Sequence, residues 1–319
     1  MLNIAVIGLG WWGQMHLRST HEKSDKVAIT AIVDLDPDLA QRTSNEFGIP
    51  VADSYDAVLA DPAIDAAILV TPHSLHTDQI VAGAAAGMHI FTEKPFALNK
   101  ADAERAVAAA EGAGIQLGLG HNQRYAAAQT RIKEMIDAGE LGEIMHMEGN
   151  LSHDTLAEVK SWRHSADEAP GGGLWHMGSH YIDLFQHFAG PIQEVYAQVA
   201  DRVIERDSAQ ALLTFESGAT GYVGNVMVTA QTRMLNVLGS KGWVKATGPN
   251  TILVGMRGGE PATVELDPVD PVRANVEGFA DAIAGRAAYR FTNQDMIRDV
   301  VALDAVATSL KSGRRERVA

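Results

Sequence analysis

Short apolar runs alternate with amphipathic stretches over the first third of the chain. Unbroken apolar runs are typical of strands buried on both faces of a parallel sheet. Helices are predicted between them, one opened by Asp36-Pro37 and ending near Phe47, another from about Ala101 to Ala113. The pattern therefore predicts an α/β domain built from βαβ units. Its predicted strands are Asn3–Gly8, Val27–Val33, Ala66–Val70, His89–Thr92 and Ile115–Leu119.

After about Gly120 the pattern changes to closely spaced strands joined by hairpin-like turns. A helix is predicted from about Ala126 to Ala138, and a second follows the stretch 170–173, which contains three glycines. Two more helices end the chain. We therefore predict a second, α+β domain with a large, mainly antiparallel open sheet. The strands are Ile144–Leu151, Ile192–Ala200, Ala209–Phe215, Thr220–Val228, Met234–Leu238, Trp243–Ala246 and Ile252–Val254, and the last helices Val272–Ala284 and Gln294–Leu310.

The composition narrows the class of protein. The chain has 319 residues, with 26 Lys plus Arg against 40 Asp plus Glu, a formal net charge of −14. That balance argues against nucleic-acid binding, which needs a basic surface. The absence of cysteine excludes disulfides, thiolate nucleophiles and cysteine-bound metals. No signal segment or apolar run of about 18 residues is present, so we expect a soluble, cytoplasmic protein without membrane contact.

A glycine-rich motif follows the first predicted strand. Gly8, Gly10 and Gly13 have the spacing G-x-G-x-x-G, with Trp11 and Trp12 between them. In Rossmann domains these glycines permit a tight turn, approach of the pyrophosphate and close helix packing. Asp34 ends the second predicted strand at the distance expected for a carboxylate that binds ribose hydroxyls. The combination predicts a dinucleotide site. The alternative interpretation is a glycine-rich turn next to an Asp that only caps a helix, which would have the same sequence.

The residues after Asp34 bear on the choice of cofactor. Asp36 adds a second carboxylate, and no Lys or Arg follows until Arg42. A 2′-phosphate would meet two negative charges there, so we expect NAD, with NADP the less favoured alternative.

Two polar segments follow the third and fourth predicted strands. Thr71, Pro72 and His76 belong to the first, and Glu93-Lys94-Pro95 forms the second. Both are expected at the carboxyl ends of strands, where open α/β sheets bind ligands. A lysine there would hold a substrate hydroxyl and stabilise a developing alkoxide.

Together these motifs resemble the glucose–fructose oxidoreductase, inositol dehydrogenase and MocA-like (Gfo/Idh/MocA) family. The resemblance covers nearly the whole chain. It rests on the glycine motif followed by His16, on Thr71-Pro72 with His76, on Glu93-Lys94-Pro95, on Asn122-Gln123-Arg124-Tyr125, on Trp162-Arg163, and on the segment from Gly172 to Asp183.

The resemblance implies a fold, a domain division and an activity. Residues 1–121 would form an NAD(P)-binding Rossmann domain, and residues 122–319 a domain for substrate binding and oligomerisation. The C-terminal helices are candidates for packing back on the Rossmann domain. The implied activity is hydride transfer between a nicotinamide cofactor and a secondary alcohol or ketone of a sugar, inositol or related cyclic polyol. A homodimer or homotetramer is implied as well.

The resemblance also assigns roles to residues. Lys94, His176 and His180 would surround the reacting carbon, with His180 as general base and His176 standing where many members have Asp. Asp183 would replace that carboxylate in part, with capping or core hydrogen bonding as the alternative. The remaining candidates are Arg124, Trp162, Arg163 and Trp175 for substrate, and Gly8, Gly10, Trp11, Trp12, Gly13, Asp34, Thr71, Pro72, His76, Glu93, Lys94 and Asn122 for the cofactor.

Other interpretations stay open at this point. His176 and His180 have the spacing of metal ligands, although the resemblance explains them without a metal, and we predict none. A non-catalytic regulator that senses nucleotide or sugar is one alternative, because His176 replaces the Asp that many members of the family have at this position. A redox-assisted glycosidase or lyase that recycles its NAD fits the same motifs, as does a dehydrogenase for a dihydrodiol or aldehyde.

Overall fold

The computed structural model describes residues 1–156, 162 and 165–319, and predicted Arg163 lies outside them. The chain divides into two compact units. Unit 1 comprises Met1–Asn122 and Asp270–Ile297, and unit 2 comprises Gln123–Val269 and Arg298–Ala319. Residues 270–297, assigned to the second domain by the sequence, therefore group with the first unit. No helix in the described residues is long and apolar enough to cross a membrane.

Unit 1 is a parallel sheet of the Rossmann type with helices between its strands. The strand order is β2-β1-β3-β4-β5, and every pairing is parallel. An isolated parallel bridge between Ile32 and Val51 adds one position outside β2. The order reverses between β1 and β3, which is where doubly wound sheets bind ligands. The elements are β1 Leu2–Ile7, α1 Trp11–Thr20, β2 Val27–Val33, α2 Pro37–Phe47, α3 Tyr55–Ala60, β3 Ala66–Leu69, α4 His73–Ala85, β4 His89–Thr92, α5 Lys100–Ala113 and β5 Leu117–Leu119.

The segment 270–297 joins unit 1 through a polar and an aromatic contact. It contains α8, Pro271–Ile283. Asn275 on α8 donates its Nδ2 to the carbonyl of Leu119 at 2.9 Å. The Phe279 ring packs edge-on against Phe91, with centroids 5.7 Å apart. These contacts bury one face of α8 against β4 and β5.

Unit 2 is built on a nine-stranded sheet. Its order is β13-β12-β11-β10-β6-β9-β8-β7-β14. The pairing of β6 with β9 is parallel and the others are antiparallel, which confirms the predicted mainly antiparallel sheet. The elements are α6 Ala127–Asp137, β6 Ile144–Ser152, a π-helix Leu174–Gly178, α7 Ser179–Ala189, β7 Ile192–Ala200, β8 Ser208–Phe215, β9 Thr220–Val226, β10 Thr232–Gly239, β11 Gly242–Ala246, β12 Thr251–Met256, β13 Ala262–Glu265 and β14 Glu316–Arg317. The last helix, α9, runs over Asn293–Ser312, and a 3-10 helix covers Asn122–Tyr125.

Candidate functional site

The glycine-rich loop between β1 and α1 has the geometry of a dinucleotide loop. Gly8 has φ +96°, and a Cβ there would lie 2.6 Å from the Val70 carbonyl oxygen. A Cβ on Gly13 would lie 2.1 Å from the carbonyl oxygen of Gly8, so this glycine lets α1 pack onto the loop. Gly10 differs, because a Cβ there meets nothing within 4 Å. The fold itself requires Gly8 and Gly13, whereas no protein atom of the described residues would contact a Cβ at Gly10.

The helix that follows this loop presents uncapped amides. Gly10 is the N-cap of α1 and provides no side-chain cap. The first turn, which includes Trp11 and Trp12, has no acidic residue. Helices α4, α6 and α7 also have no side-chain cap, whereas α2, α3, α5 and α8 are capped by Asp36, Ser54, Asn99 and Asp270. Free N–H groups and the helix dipole favour an anion such as a pyrophosphate, so the loop fits a dinucleotide.

Asp34 lies directly after β2 and is tied to the glycine loop. Its Oδ2 accepts the backbone N–H of Leu9 at 2.6 Å, and its Oδ1 accepts that of Asp36 at 2.9 Å. These bonds orient the carboxylate and leave further lone pairs for ribose hydroxyls. Asp36 itself is used as the cap of α2, accepting from Asp38 and Leu39.

The remaining predicted cofactor residues follow the other strands of unit 1. Thr71 and Pro72 come after β3, Glu93 and Lys94 after β4, and Asn122 after β5. The parallel sheet therefore brings them to the same edge as the glycine loop. His76 is fully buried on α4, and both ring nitrogens contact backbone carbonyls, of Pro95 at 3.0 Å and of Thr71 at 3.1 Å. It holds the protein's own loops, a role that the sequence did not predict.

Lys94 is 9% exposed, and the Lys94–Pro95 peptide bond is cis. The neighbouring Glu93 accepts a hydrogen bond from His16 Nε2 at 2.8 Å through its Oε1. Burial raises the pKa of Glu93, but the His16 hydrogen bond and the charges of His16 and Lys94 outweigh it and hold the pKa below its ordinary value. The carboxylate therefore stays ionised inside the protein.

The predicted chemical residues of unit 2 lie on the π-helix and on α7. His176 is in the π-helix, and His180, 3% exposed, is in the first turn of α7. The shared helical face predicted for them assumed a continuous α-helix. A π-turn has i→i+5 bonds and changes the angle between the two rings, and such turns are frequent at functional sites. The Ser179 hydroxyl donates to the Trp175 carbonyl at 2.9 Å across the junction.

The three glycines before the π-helix each have a structural reason. A Cβ on Gly171 would contact the Trp175 ring at 2.4 Å. Gly172 has φ +54°, and a Cβ on Gly173 would lie 1.6 Å from Asn225 Oδ1. These three glycines therefore allow the backbone to pack closely against its neighbours directly before the π-helix begins.

Two predicted substrate residues have internal partners in unit 2. Arg124 is 3% exposed and donates its Nε to Asp183 Oδ1 at 2.9 Å and its Nη2 to the same oxygen at 2.5 Å. Asp183 is fully buried. Of the roles that the sequence left possible for it, the structure shows hydrogen bonding within the core, to Arg124. Trp175, 1% exposed, is part of the apolar core. Trp162 is described and half-buried. Substrate contacts of these side chains stay predictions.

Comparisons with known proteins agree with this architecture. Residues 2–121 match the family described as "Oxidoreductase family, NAD-binding Rossmann fold", and residues 130–245 match "GFO/IDH/MocA C-terminal domain". The chain belongs to the Gfo/Idh/MocA oxidoreductase family. This confirms the family and the fold expected from the motifs. It also supports the predicted class of enzyme, an NAD(P)-dependent dehydrogenase that acts on CH–OH groups.

Named relatives of this family member act on sugars and cyclitols. The chain is 28% identical to "D-xylose 1-dehydrogenase (NADP(+)) 2" of Haloferax volcanii, over 89% of this chain and 90% of the relative. It is 28% identical to the myo-inositol 2-dehydrogenase of Thermotoga maritima, over 77% and 75%. The crystal structure of aldose-aldose oxidoreductase from Caulobacter crescentus, complexed with glycerol, superposes with a TM-score of 0.88 at 23% identity, covering 99% of both chains, and shows the same fold.

Proposed function

We propose that this protein transfers a hydride between NAD and a secondary alcohol or ketone of a sugar, inositol or related cyclic polyol. The observation that carries the proposal is the loop at Gly10, which leaves open space beside uncapped helical amides. When bound, the nicotinamide accepts or returns the hydride. The substrate class comes from the relatives, which include enzymes named for D-xylose and myo-inositol.

The chain's own residues supply the proton chemistry in this proposal. Lys94 donates a hydrogen bond to the substrate oxygen and stabilises the negative charge that develops on it. His180 accepts the hydroxyl proton as general base. His176 orients His180 or binds a neighbouring substrate hydroxyl.

NAD is the proposed cofactor because Asp34, held at the end of β2 by its two backbone contacts, has lone pairs left to accept from the ribose hydroxyls. A 2′-phosphate would place negative charge against Asp34 and Asp36. The D-xylose dehydrogenase relative is named for NADP, so the preference needs a direct test. We expect kcat/KM to be higher with NAD than with NADP, and we expect Asp34→Ser to reduce the ratio of the two values.

The experiment follows reduced nicotinamide by absorbance while the protein is incubated with NAD or NADP and a panel of sugars, cyclitols and sugar acids. His180→Ala should lower turnover at least ~100-fold with NAD affinity unchanged, as expected for loss of a general base. Unchanged turnover would refute that role. NAD binding without reduction of the cofactor by any panel member would instead favour the recycling lyase or the regulator.

A glycine pair tests the cofactor loop separately from the chemistry. Gly10→Ala should unfold at the normal temperature and bind NAD at least ~10-fold more weakly, because its methyl group fills the space kept for the pyrophosphate. Gly112→Ala is the matched control, since a Cβ there also meets nothing within 4 Å but lies on α5. Equal NAD affinity in both variants would contradict the assignment of the loop.

We also propose that the protein is a homodimer or homotetramer that pairs through the open sheet. One cross-strand row on the outward face of the sheet runs through Tyr196, Leu212, Tyr222 and Glu148. Leu212 is 55% exposed within it. Sedimentation velocity should show an oligomer that Leu212→Lys weakens; a monomer at micromolar concentration would refute the proposal.

A further inference from the structure

The segment that contains Lys94 is held by its own neighbour. The backbone N–H of Lys94 donates to Glu93 Oε2 at 3.3 Å, while Glu93 Oε1 accepts from His16 Nε2 at 2.8 Å. A carboxylate only accepts, so Nε2 of His16 must carry the proton in this bond. His16 lies on α1, directly after the glycine loop. One carboxylate therefore joins that helix to the backbone of Lys94.

The pocket around this carboxylate is closely fitted. A Cβ on Gly120 would lie 2.6 Å from the carboxyl carbon and from both oxygens of Glu93. The His16 ring is 2% exposed and packs edge-on against Phe91, with centroids 5.7 Å apart. Glu93 has little room to move unless the His16 bond breaks, because glycine is needed on one side and an aromatic ring backs the histidine on the other.

A second buried histidine holds the other side of the same segment. His76 Nδ1 contacts the Pro95 carbonyl oxygen and Nε2 contacts that of Thr71. Carbonyl oxygens only accept, so a singly protonated ring donates to one of these two carbonyls at a time, through whichever nitrogen carries the proton. His76 lies on α4, which begins directly after Thr71-Pro72. It therefore links the loop after β3 to the residue that follows Lys94.

We propose that His16 and His76 are positioning residues that clamp the segment Glu93-Lys94-Pro95 from two helices. Each histidine ties a loop of the dinucleotide site to the strand end that carries Lys94. Neither touches the reacting atoms in this proposal. The inference rests on the proposed function only for its kinetic consequence, because the clamp itself is a property of unit 1.

The kinetic test uses paired substitutions. His16→Phe removes the donor and keeps a ring, and we expect kcat to fall ~10- to 100-fold, since small displacements of a catalytic group cost that much. His16→Gln restores an N–H donor and should recover most of kcat. His76→Leu should lower kcat similarly. His89→Leu is the control, because His89 bonds to the backbone N–H of Gln116 at the opposite end of β4 and should leave kcat unchanged.

A second measurement needs no substrate. Hydrogen–deuterium exchange of the free protein, read by mass spectrometry, should be faster in the peptide spanning residues 89–97 in His16→Phe and His76→Leu, and unchanged there in His16→Gln. Gly120→Ala displaces Glu93 without changing a histidine and should also speed this exchange. The exchange result separates failure of the clamp from failure of the proposed reaction, which the activity panel tests.

The clamp is refuted if exchange in 89–97 stays within about twofold of the parent in both His16→Phe and His76→Leu; faster exchange with an unchanged kcat would refute its role in positioning Lys94. It is also refuted if His89→Leu produces the same loss, because the effect would then come from general loosening of β4.

Discussion

The buried pair of Arg124 and Asp183 gives a sharp test of what holds unit 2 together. Asp183 has no solvent exposure and Arg124 is 3% exposed. Three donor–acceptor contacts join them, at 2.5, 2.9 and 3.1 Å. Asp183→Asn removes the negative charge and leaves the guanidinium buried. Removing one partner of such a pair costs about 3–5 kcal/mol, which we expect as the loss in unfolding free energy.

The comparison that isolates burial is an exposed pair. Arg105 and Asp78 are 2.8 Å apart on the surface, with side chains 49% and 77% exposed. Because solvent screens that attraction, Asp78→Asn should leave the unfolding free energy almost unchanged. The two ion pairs have similar donor–acceptor distances but different burial, so we expect a large loss of unfolding free energy only for the buried pair.

The assay is urea unfolding followed by far-ultraviolet circular dichroism and by tryptophan fluorescence, to which all five tryptophans contribute, the buried Trp175 among them. The double variant Arg124→Met with Asp183→Leu removes both charges and should recover most of the lost stability. The reasoning is refuted if Asp183→Asn loses less than about 1 kcal/mol, as for an exposed pair, or if the double variant is as unstable as the single one.

Three further outcomes follow from single contacts. Asp207→Asn should cost about 1–3 kcal/mol in urea unfolding, because its carboxylate accepts three backbone N–H groups of the preceding loop, which lower its pKa against the effect of burial. Gly173→Ala should lower the melting temperature, and Gly112→Ala should not, since only the first Cβ overlaps another atom. The pKa of Glu93 lies below its ordinary value of 4.5, so its contribution to stability is present above pH 4.5 and is lost as the pH falls through the folded-state pKa. In His16→Phe burial should raise that pKa, and stability measured against pH should instead fall as the pH rises above 4.5.

The strands that were predicted well are those whose burial is marked by a run of apolar residues in the sequence. The run Val27–Val33 is apolar apart from one threonine and appears as β2 with the same bounds. Strand β13, Ala262–Glu265, was missed because all its residues are exposed and no apolar period marks it. Helix α3 was missed for its length, six residues, although Ser54 caps it. Local pattern identifies elements that bury a face and overlooks elements that do not.

The contacts of the candidate site are of another kind. His16 and Glu93 are 77 residues apart in sequence, and Arg124 and Asp183 are 59 apart. Each of these residues was singled out by its motif, but no spacing within one sequence says which buried acid meets which base. The π-helix likewise could not be predicted from the hydrophobic pattern, since its amino-acid sequence is equally compatible with an α-helix.

The glycines of the nucleotide loop show how structure separates two meanings of one motif. Gly8 and Gly13 are required by their own backbone surroundings, because a Cβ on either would overlap a main-chain oxygen. A glycine of this kind would be expected in any protein with this turn, whether or not it bound a ligand. Gly10 has ordinary φ and open space, so nothing inside the fold prevents a larger residue there. Close approach of a pyrophosphate would explain this glycine, and among the three it is therefore the one that bears on nucleotide binding rather than on the fold.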